Sequence, residues 1–450
     1  MEKKKNLGLS YTLKGLMIAG LSLVLLIPSC AVHGLVKERK RTRDEAVSKI
    51  DSKWSLPQTV GGPVLAIPFT RLVADSKNKE YTQDETINVV PDRLEVDCKL
   101  YPEERYYGIY KTIVYKSVVT IEGEFAAFDR NLLPRGVVAF GNPYVKIGVS
   151  DRRGISGDPV FEMNGRSYEI GIGSVTDNVL GELLVVDIRD QSVDNKLSFS
   201  MSFELKGSGS INFLPVGRTS IVNVEGDWAD PGFVGNYSPE FTIADGGFKA
   251  NWEVLRFNRN MADMWYDGVA SNSNREYVYD TGMGVASDRG NSFGVNLVDT
   301  VDVYQQSERS VKYAIMFILL TFVVFFFVEV FTGKKIHPIQ YVLVGVALVL
   351  FYSLLISFAE RLGFGWAYLI SGIATIGLIT VYASSVFKSR KPTVTLAAIL
   401  SALYVYLYVI LQLEDVALLA GSVGLFVILA VIMYFSHKVS WYNGQDSIEE

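Results

Sequence analysis

Histidine is nearly absent from this chain: His33, His337 and His437 are all it has, and none falls between residues 37 and 312. A Ser-His-Asp triad, a His-based zinc site and a histidine general base are therefore excluded from that stretch, and most hydrolase chemistries go with them. Cysteine is as scarce. Cys30 lies inside an apolar run and Cys98 in the polar middle. Two cysteines in such different settings supply neither a disulfide framework nor a Cys-rich metal site. Charge is missing from the C-terminal part, where only ten residues between Tyr313 and Phe435 are Asp, Glu, Lys or Arg, against 20% charged residues for the whole chain. The remainder there is almost continuous Val, Leu, Ile, Phe, Ala and Tyr. A hydrophobic fraction of 49% over 450 residues, with a mean hydropathy of +0.22, is too apolar for an ordinary soluble protein, and this stretch locates the excess in a membrane.

What charge there is divides the chain. Residues 1–36 hold 4 basic and 1 acidic residue and residues 313–450 hold 7 of each, which leaves 32 basic against 40 acidic, a net −8, in a soluble middle. Residues 15–36, behind Lys3, Lys4 and Lys5, form an apolar run of about 22 residues, enough as a helix to cross a hydrocarbon core of roughly 30 Å. The order Leu26-Ile27-Pro28-Ser29-Cys30 also invites a lipoprotein reading. An uncleaved anchor is preferred, because Pro28 fits poorly before a cleavage site and the run continues past Cys30 to Val36. Five further spans are expected at about residues 313–331, 341–358, 364–387, 394–411 and 416–435. Their loops alternate in charge: Lys334, Lys335, Lys388, Arg390, Lys391 and Lys438 fall on one side, and Glu360, Arg361, Glu414 and Asp415 on the other. Six basic residues against one place the first side, both termini included, in the cytoplasm and the soluble middle outside it. Lys37, Arg39, Lys40, Arg41 and Arg43 run against that rule, but large domains translocate with little regard to local charge.

Residues 37–54 read as a helix leaving the membrane, with Val47, Ile50 and Trp54 recurring among charges until Pro57 breaks the pattern. From Gly61 to about Val303 short runs rich in Val, Ile, Tyr, Phe and Thr, bounded by Gly, Asp, Asn or Pro, predict strands, most clearly from Lys111 to Glu122. Asp151-Arg152-Arg153-Gly154 and Asp245-Gly246-Gly247 read as hairpin turns. The expectation is one large β-sandwich or two smaller ones. The glycines of Lys206-Gly207-Ser208-Gly209-Ser210 suggest a phosphate loop, but no helix or Lys-Ser/Thr pair follows, so a turn between strands is the better account. Segments around Trp228, Phe233, Phe248 and Trp252 suit either a carbohydrate surface or core aromatics at strand ends, the commoner use. The division that results is a cytoplasmic N-terminus (1–14), a first span (15–36), a charged linker helix (37–54), an extracytoplasmic β-rich domain (55–312), a five-helix block (313–435) and a cytoplasmic tail (436–450).

The segments Gly207-Ser208 through Pro215-Val216-Gly217, Trp228 with Pro231 and Phe233, Gly247-Phe248 with Trp252, Glu308-Arg309 with Lys312-Tyr313, Ile336-His337-Pro338-Ile339-Gln340-Tyr341, Glu414-Asp415-Val416-Ala417 and Trp441-Tyr442 together resemble the CreD family of bacterial inner-membrane proteins. The similarity extends from Glu38-Arg39 to the C-terminus, loosely over residues 131–195. Cys30 stands where the family usually shows an apolar residue, which further weakens the lipoprotein reading. The resemblance implies an inner-membrane protein linked to cell-envelope integrity and to envelope-stress signalling, with no enzymatic activity.

Three functions compete on the residues themselves. The first is a non-enzymatic envelope protein whose β domain binds a periplasmic or inner-membrane partner or a ligand. The second is a transporter or lipid-handling protein, for which intramembrane ionisable groups are the expected mark and only Glu329 qualifies. Its position near a span end predicts an interfacial carboxylate reaching water. The third is a hydrolase using paired carboxylates, though no spacing singles out a pair. No catalytic residue, metal ligand, cofactor or nucleic-acid partner is expected, and membrane lipids are the general partner. His337, before Pro338, can serve as a pH sensor or partner contact, or more plainly as a turn residue. His437, Lys438 and Trp441-Tyr442 read as an interfacial anchor. The basic run predicts docking of the first span on the C-terminal five, with Arg39 or Arg43 bridging to Glu414 or Asp415 on the face that also carries Glu360.

Overall fold

The computed structural model describes residues 7–74, 80–173, 180–259, 261–267, 291–297, 303–332, 336–413 and 416–437. Glu414, Asp415, Lys334, Lys335, Lys438, Trp441 and Tyr442 lie outside them. The chain forms two compact units, one of residues 1–44 and 301–450 and one of residues 45–300.

The first unit is helical. Its elements are α1 (Leu7–Val24), α2 (Leu26–Trp54, which ends in the other unit), α3 (Val303–Lys312), α4 (Ala314–Thr332), α5 (Pro338–Leu362), α6 (Phe364–Phe387), α7 (Arg390–Gln412) and α8 (Ala417–His437). Six helices, the first combining α1 and α2, are long and apolar enough to cross a membrane. The interruption at Leu25 has a local cause. Pro28 has no N–H to donate to Val24 and its ring crowds that carbonyl, while Leu25 still donates to Leu21 O at 3.0 Å and Ser29 to Leu25 O at 3.3 Å, so the rod continues. Leu350, Ile373, Val381 and Phe426 are exposed along these helices, as lipid-facing residues should be. The interior is aromatic: the Phe351 ring meets Tyr404 at 5.0 Å and Tyr368 at 5.4 Å, both edge-on, and Tyr368 OH donates to Tyr404 O at 2.8 Å. Residues 303–312, placed with the β domain on composition, instead form the amphipathic α3, which buries Tyr304, Ser307, Ser310 and Val311 and packs with the helical unit against α4, α5, α6 and α7.

The second unit is a β-sandwich. Among the described residues its strands form a 10-stranded and an 8-stranded sheet around one continuous core. The larger alternative of the two expected from the sequence is therefore the observed one. Side chains at alternate positions point to opposite faces of a strand, and Leu197–Ser208 shows it plainly: Leu197, Phe199, Met201, Phe203 and Leu205 are buried while Ser198, Ser202 and Glu204 are exposed. This strand pairs along its whole length with Tyr110–Phe125. The central strand Gln58–Ala74 is buried on both faces from Val60 to Ile67 because it sits between neighbours and beneath the opposing sheet. Asp245-Gly246 makes the expected hairpin turn, with both residues at positive φ (+54° and +78°) between Glu240–Ala244 and Gly247–Leu255. Asp151-Arg152-Arg153-Gly154 does not. It is a 3-10 turn capped by the Asp151 carboxylate, joining Tyr144–Val149 in one sheet to Ile155–Met163 in the other. The reading of Lys206–Gly217 as a turn between strands agrees with the structure, where Gly209 (φ +66°) carries the chain from Leu197–Ser208 in one sheet to Ser210–Phe213 in the other. Trp252 is fully buried, with its indole N–H donating to Tyr237 O at 3.0 Å and its ring 5.3 Å from Phe293, so this aromatic segment builds core.

Candidate coupling site in the helical unit

Two polar clusters tie the first membrane-crossing helix to the C-terminal helices. The inner one gathers Lys14 of α1, Glu329 of α4 and Tyr341 of α5. Lys14 Nζ forms an ion pair with Glu329 Oε1, and Tyr341 OH donates to Glu329 Oε2 at 3.1 Å. Glu329 is 4% exposed. The expectation that it reaches water at the span end is thus corrected: the carboxylate turns inward, where a lysine supplies the counter-charge and a phenol the second hydrogen bond. Both oxygens are engaged, which is how a buried charge is tolerated in apolar surroundings. Phe322 and Phe325 pack edge-on against Tyr341 at 5.6 and 6.2 Å and hold the phenol in place.

The outer cluster joins α2, α3 and α5. Tyr304 OH donates to Glu360 Oε1 at 3.2 Å, and Arg39 Nε lies 3.9 Å from the same oxygen. Arg43, one turn beyond Arg39, pairs with Asp44 at 2.8 Å and stacks its guanidinium 5.2 Å from the centre of the Tyr304 ring. Among the candidate residues, Arg39, Arg43 and Glu360 are thus brought together. Glu414 and Asp415 lie outside the described residues. His337 is a helix cap: its Nδ1 accepts from Ile339 N at 3.4 Å, Gln340 Oε1 accepts from His337 N at 2.9 Å, and Pro338 takes the first helical position.

The sequence reading missed Lys14, Tyr341 and Tyr304. A signal existed for the first. Lys14 opens the first apolar run and Glu329 stands near the end of the next one, so antiparallel spans bring these two charges to one depth.

In the β unit, the end of α2 is rooted by a dense polar joint. Trp54 donates its indole N–H to Tyr115 O at 3.4 Å, with Arg105 and Lys206 over its ring at 4.7 and 5.4 Å. Ser55 Oγ and Leu56 N both donate to Asp151 Oδ2, at 3.2 and 3.1 Å, and Arg153 grips the same carboxylate with two N–H groups at 2.8 and 2.9 Å. That guanidinium holds the Asp151 carboxyl down at about 2, with the Leu56 and Arg153 backbone N–H groups adding to the effect against the opposing pull of burial. Cys98 is 2% exposed in the core, and burial pushes its thiol well above the ordinary range, so it is unreactive.

Six helices long and apolar enough to cross a membrane, with a two-sheet sandwich inserted between the first and second, define a multi-pass membrane protein. A family model described as "Inner membrane protein CreD" matches residues 10–442, and the chain belongs to the CreD family of inner membrane proteins. The Inner membrane protein CreD of Escherichia coli (strain K12) is 31% identical over 428 residues, which cover 94% of this chain and 92% of the relative. Among solved structures, a mutant M1 zinc metallopeptidase from Deinococcus radiodurans bound to a tripeptide substrate superposes on 36% of this chain and 38% of its own at 8% identity, with a TM-score of 0.18, too low to carry an argument.

Proposed function

We propose that this protein supports cell-envelope integrity or the response to envelope stress, with the β-sandwich on the extracytoplasmic side binding an envelope partner or ligand and both chain termini in the cytoplasm. The supporting observation is that the sandwich is tethered at each end: its N-terminal side continues through α2 into the first span and its C-terminal side leads to α3 and the other five spans. A domain held at both ends is suited to reporting on its surroundings rather than to diffusing to a substrate. The loop charges support the orientation, and membership of the CreD family is consistent with the envelope role. A transport reading draws on Glu329, but that carboxylate is engaged on both oxygens, by Lys14 and Tyr341.

The test uses cells that lack the protein. Their envelope should admit a hydrophobic dye or antibiotic more readily, and the full chain should restore the barrier. Reporters fused after Asp129 should read as extracytoplasmic, and reporters after Arg390 and Ser440 as cytoplasmic. A cytoplasmic signal at Asp129, or an unchanged envelope in the deleted strain, would overturn the reading.

A further inference from the structure

At the end of the sandwich remote from Trp54, three parts of the chain meet: Val90 to Asp92, Val216 to Arg218, and Arg256 to Arg259 with Asp263. Backbone bonds knit them, Arg218 N donating to Pro91 O at 2.8 Å and Val90 N to Asp263 O at 3.1 Å. The distance from the joint follows from strand register. Tyr115, against Trp54, pairs with Pro102, and nine residues of the same strand separate Pro102 from Arg93, roughly 30 Å at about 3.3 Å per residue.

Here three guanidinium groups converge on one carboxylate. Asp263 pairs with Arg259, with Arg256 at 2.6 Å and with Arg218 at 3.3 Å, while Arg218 also reaches Asp92 at 2.7 Å. Three permanent cations against two carboxylates leave one positive charge in surplus. Arginine does not relieve such crowding by losing its proton, so the surplus is balanced either by solvent on the exposed side or by a further anion. The Arg259 side chain is 1% exposed. Its Nη1 donates to Val216 O at 3.1 Å, and among the described residues its Nε finds no acceptor. Burial lowers the Arg259 pKa against the opposing pull of the Asp263 charge and hydrogen bond, and the charges of Arg218 and Arg256 lower it further. Arg256 and Arg218 are 57% and 37% exposed and leave the cluster open to solvent on their side.

We propose that Arg218, Arg256 and Arg259 form a binding site for a phosphate group, free or esterified to a larger envelope molecule. A carboxylate offers two oxygens to guanidinium forks. A tetrahedral phosphate offers three, with up to two negative charges, and so matches three converging forks and more than cancels the surplus. The proposal deepens the reading that the β domain receives an envelope ligand, and rests on that reading only for the source of the phosphate.

The test is thermal unfolding of the purified full-length protein in detergent, at fixed ionic strength, with chloride, acetate, inorganic phosphate or glycerol phosphate. Phosphate should raise the unfolding temperature saturably, and acetate and chloride should not. A response to glycerol phosphate as well assigns an esterified group, and a response to inorganic phosphate alone assigns the free ion. Arg256→Gln should raise the half-saturating phosphate concentration at least tenfold, each variant being read against its own phosphate-free unfolding temperature. Asp263→Asn removes the carboxylate that competes for the same forks and should lower the half-saturating concentration several-fold, an effect that a merely structural ion-pair network would not produce. Absence of a phosphate-specific rise in the unaltered protein, or an identical response in Arg256→Gln, overturns the proposal. Binding by purified protein does not depend on which side of the membrane the domain occupies, so failure here is distinct from failure of the envelope reading.

Discussion

Replacing Glu329 with glutamine should be among the most damaging single changes in the helical unit. The substitution preserves shape but leaves the Lys14 ammonium without its counter-ion and replaces one charged hydrogen bond to Tyr341 with a neutral one. Breaking a buried pair by removing one partner costs about 3–5 kcal/mol. Lys14 retains 21% side-chain exposure against 5% for Glu329, so its ammonium recovers part of its hydration, and the expected loss is about 2–3 kcal/mol. Tyr341→Phe removes only the second bond and should cost about 1–2 kcal/mol. The decisive variant is the double change Lys14→Met with Glu329→Leu. It takes both charges out together, a replacement that is often neutral for a buried pair, and leaves only the Tyr341 hydroxyl without its acceptor, so it should cost about 1–2 kcal/mol, as Tyr341→Phe does, and less than Glu329→Gln. The assay is denaturant unfolding of the full chain in mixed micelles, with all three variants on one scale. If the double change costs as much as Glu329→Gln, or if Glu329→Gln costs less than about 0.5 kcal/mol, the pair is not formed and the inner cluster does not hold α1.

Two further outcomes follow from the other clusters. In the outer one, Arg39 is 48% exposed and 3.9 Å from Glu360, so Arg39→Ala should cost less than about 1 kcal/mol, whereas Glu360→Ala also removes the acceptor of the Tyr304 hydrogen bond and should cost about 1–2 kcal/mol; equal losses, or the reverse order, in the same unfolding assay would contradict this. In the β unit, Asp151 has a folded pKa of about 2 against an ordinary 3.8, so its stabilising contribution is complete above about pH 4 and is lost as pH falls through about 2. The Arg153 side chain is 58% exposed, which screens the pair and trims the contribution to about 1 kcal/mol. Asp151→Asn should flatten that acid limb in a pH series of unfolding measurements, and an unchanged slope between pH 4 and 2 would show that the Arg153 contact is not formed.

The spans and the strands were legible because each rests on a signal that local sequence carries. A run such as the one around Phe322 to Phe327 has no soluble use, and the alternation from Leu197 to Leu205 fits only a half-buried strand. What escaped the sequence was pairing across long separations. Glu329 read as interfacial because its distance from the span end is local information, while its partner Lys14 lies 315 positions away. Asp151 read as a hairpin turn because Asp-Arg-Arg-Gly has turn chemistry, which it does, but nothing local says whether the next strand returns to the same sheet or crosses to the other. The helix α3 was hidden by composition: Val303 to Lys312 is short and polar, and its buried face of Tyr304, Ser307 and Val311 is recognisable only at helical spacing. The arginine cluster at Asp263 draws on three segments, and only its Arg256, Arg259 and Asp263 lie close in sequence.

The two clusters in the helical unit differ in strength, and that difference has mechanical meaning. Tyr341 and Glu360 lie on one helix, α5, nineteen residues apart, about 28 Å at 1.5 Å per residue and close to the roughly 30 Å of a hydrocarbon core. The two clusters are therefore about one hydrocarbon thickness apart along α5, which meets the first helix through Glu329 of α4 at one and through Glu360 at the other. The inner link is a buried ion pair with a second hydrogen bond, while the outer combines a long contact from the half-exposed Arg39 with the Tyr304 hydrogen bond to Glu360 and the Arg43 guanidinium over the Tyr304 ring. A perturbation of about 1 kcal/mol arriving along α2 shifts an equilibrium roughly fivefold, which is comparable to the outer Arg39 contact and well below the inner Lys14 contact. The Arg39 contact is thus expected to yield before the Lys14 pair. Between them lies the interruption at Leu25, where Pro28 has already removed one rung of the helical ladder. Disabling the Lys14–Glu329 pair should therefore cost more stability than disabling the Arg39–Glu360 contact.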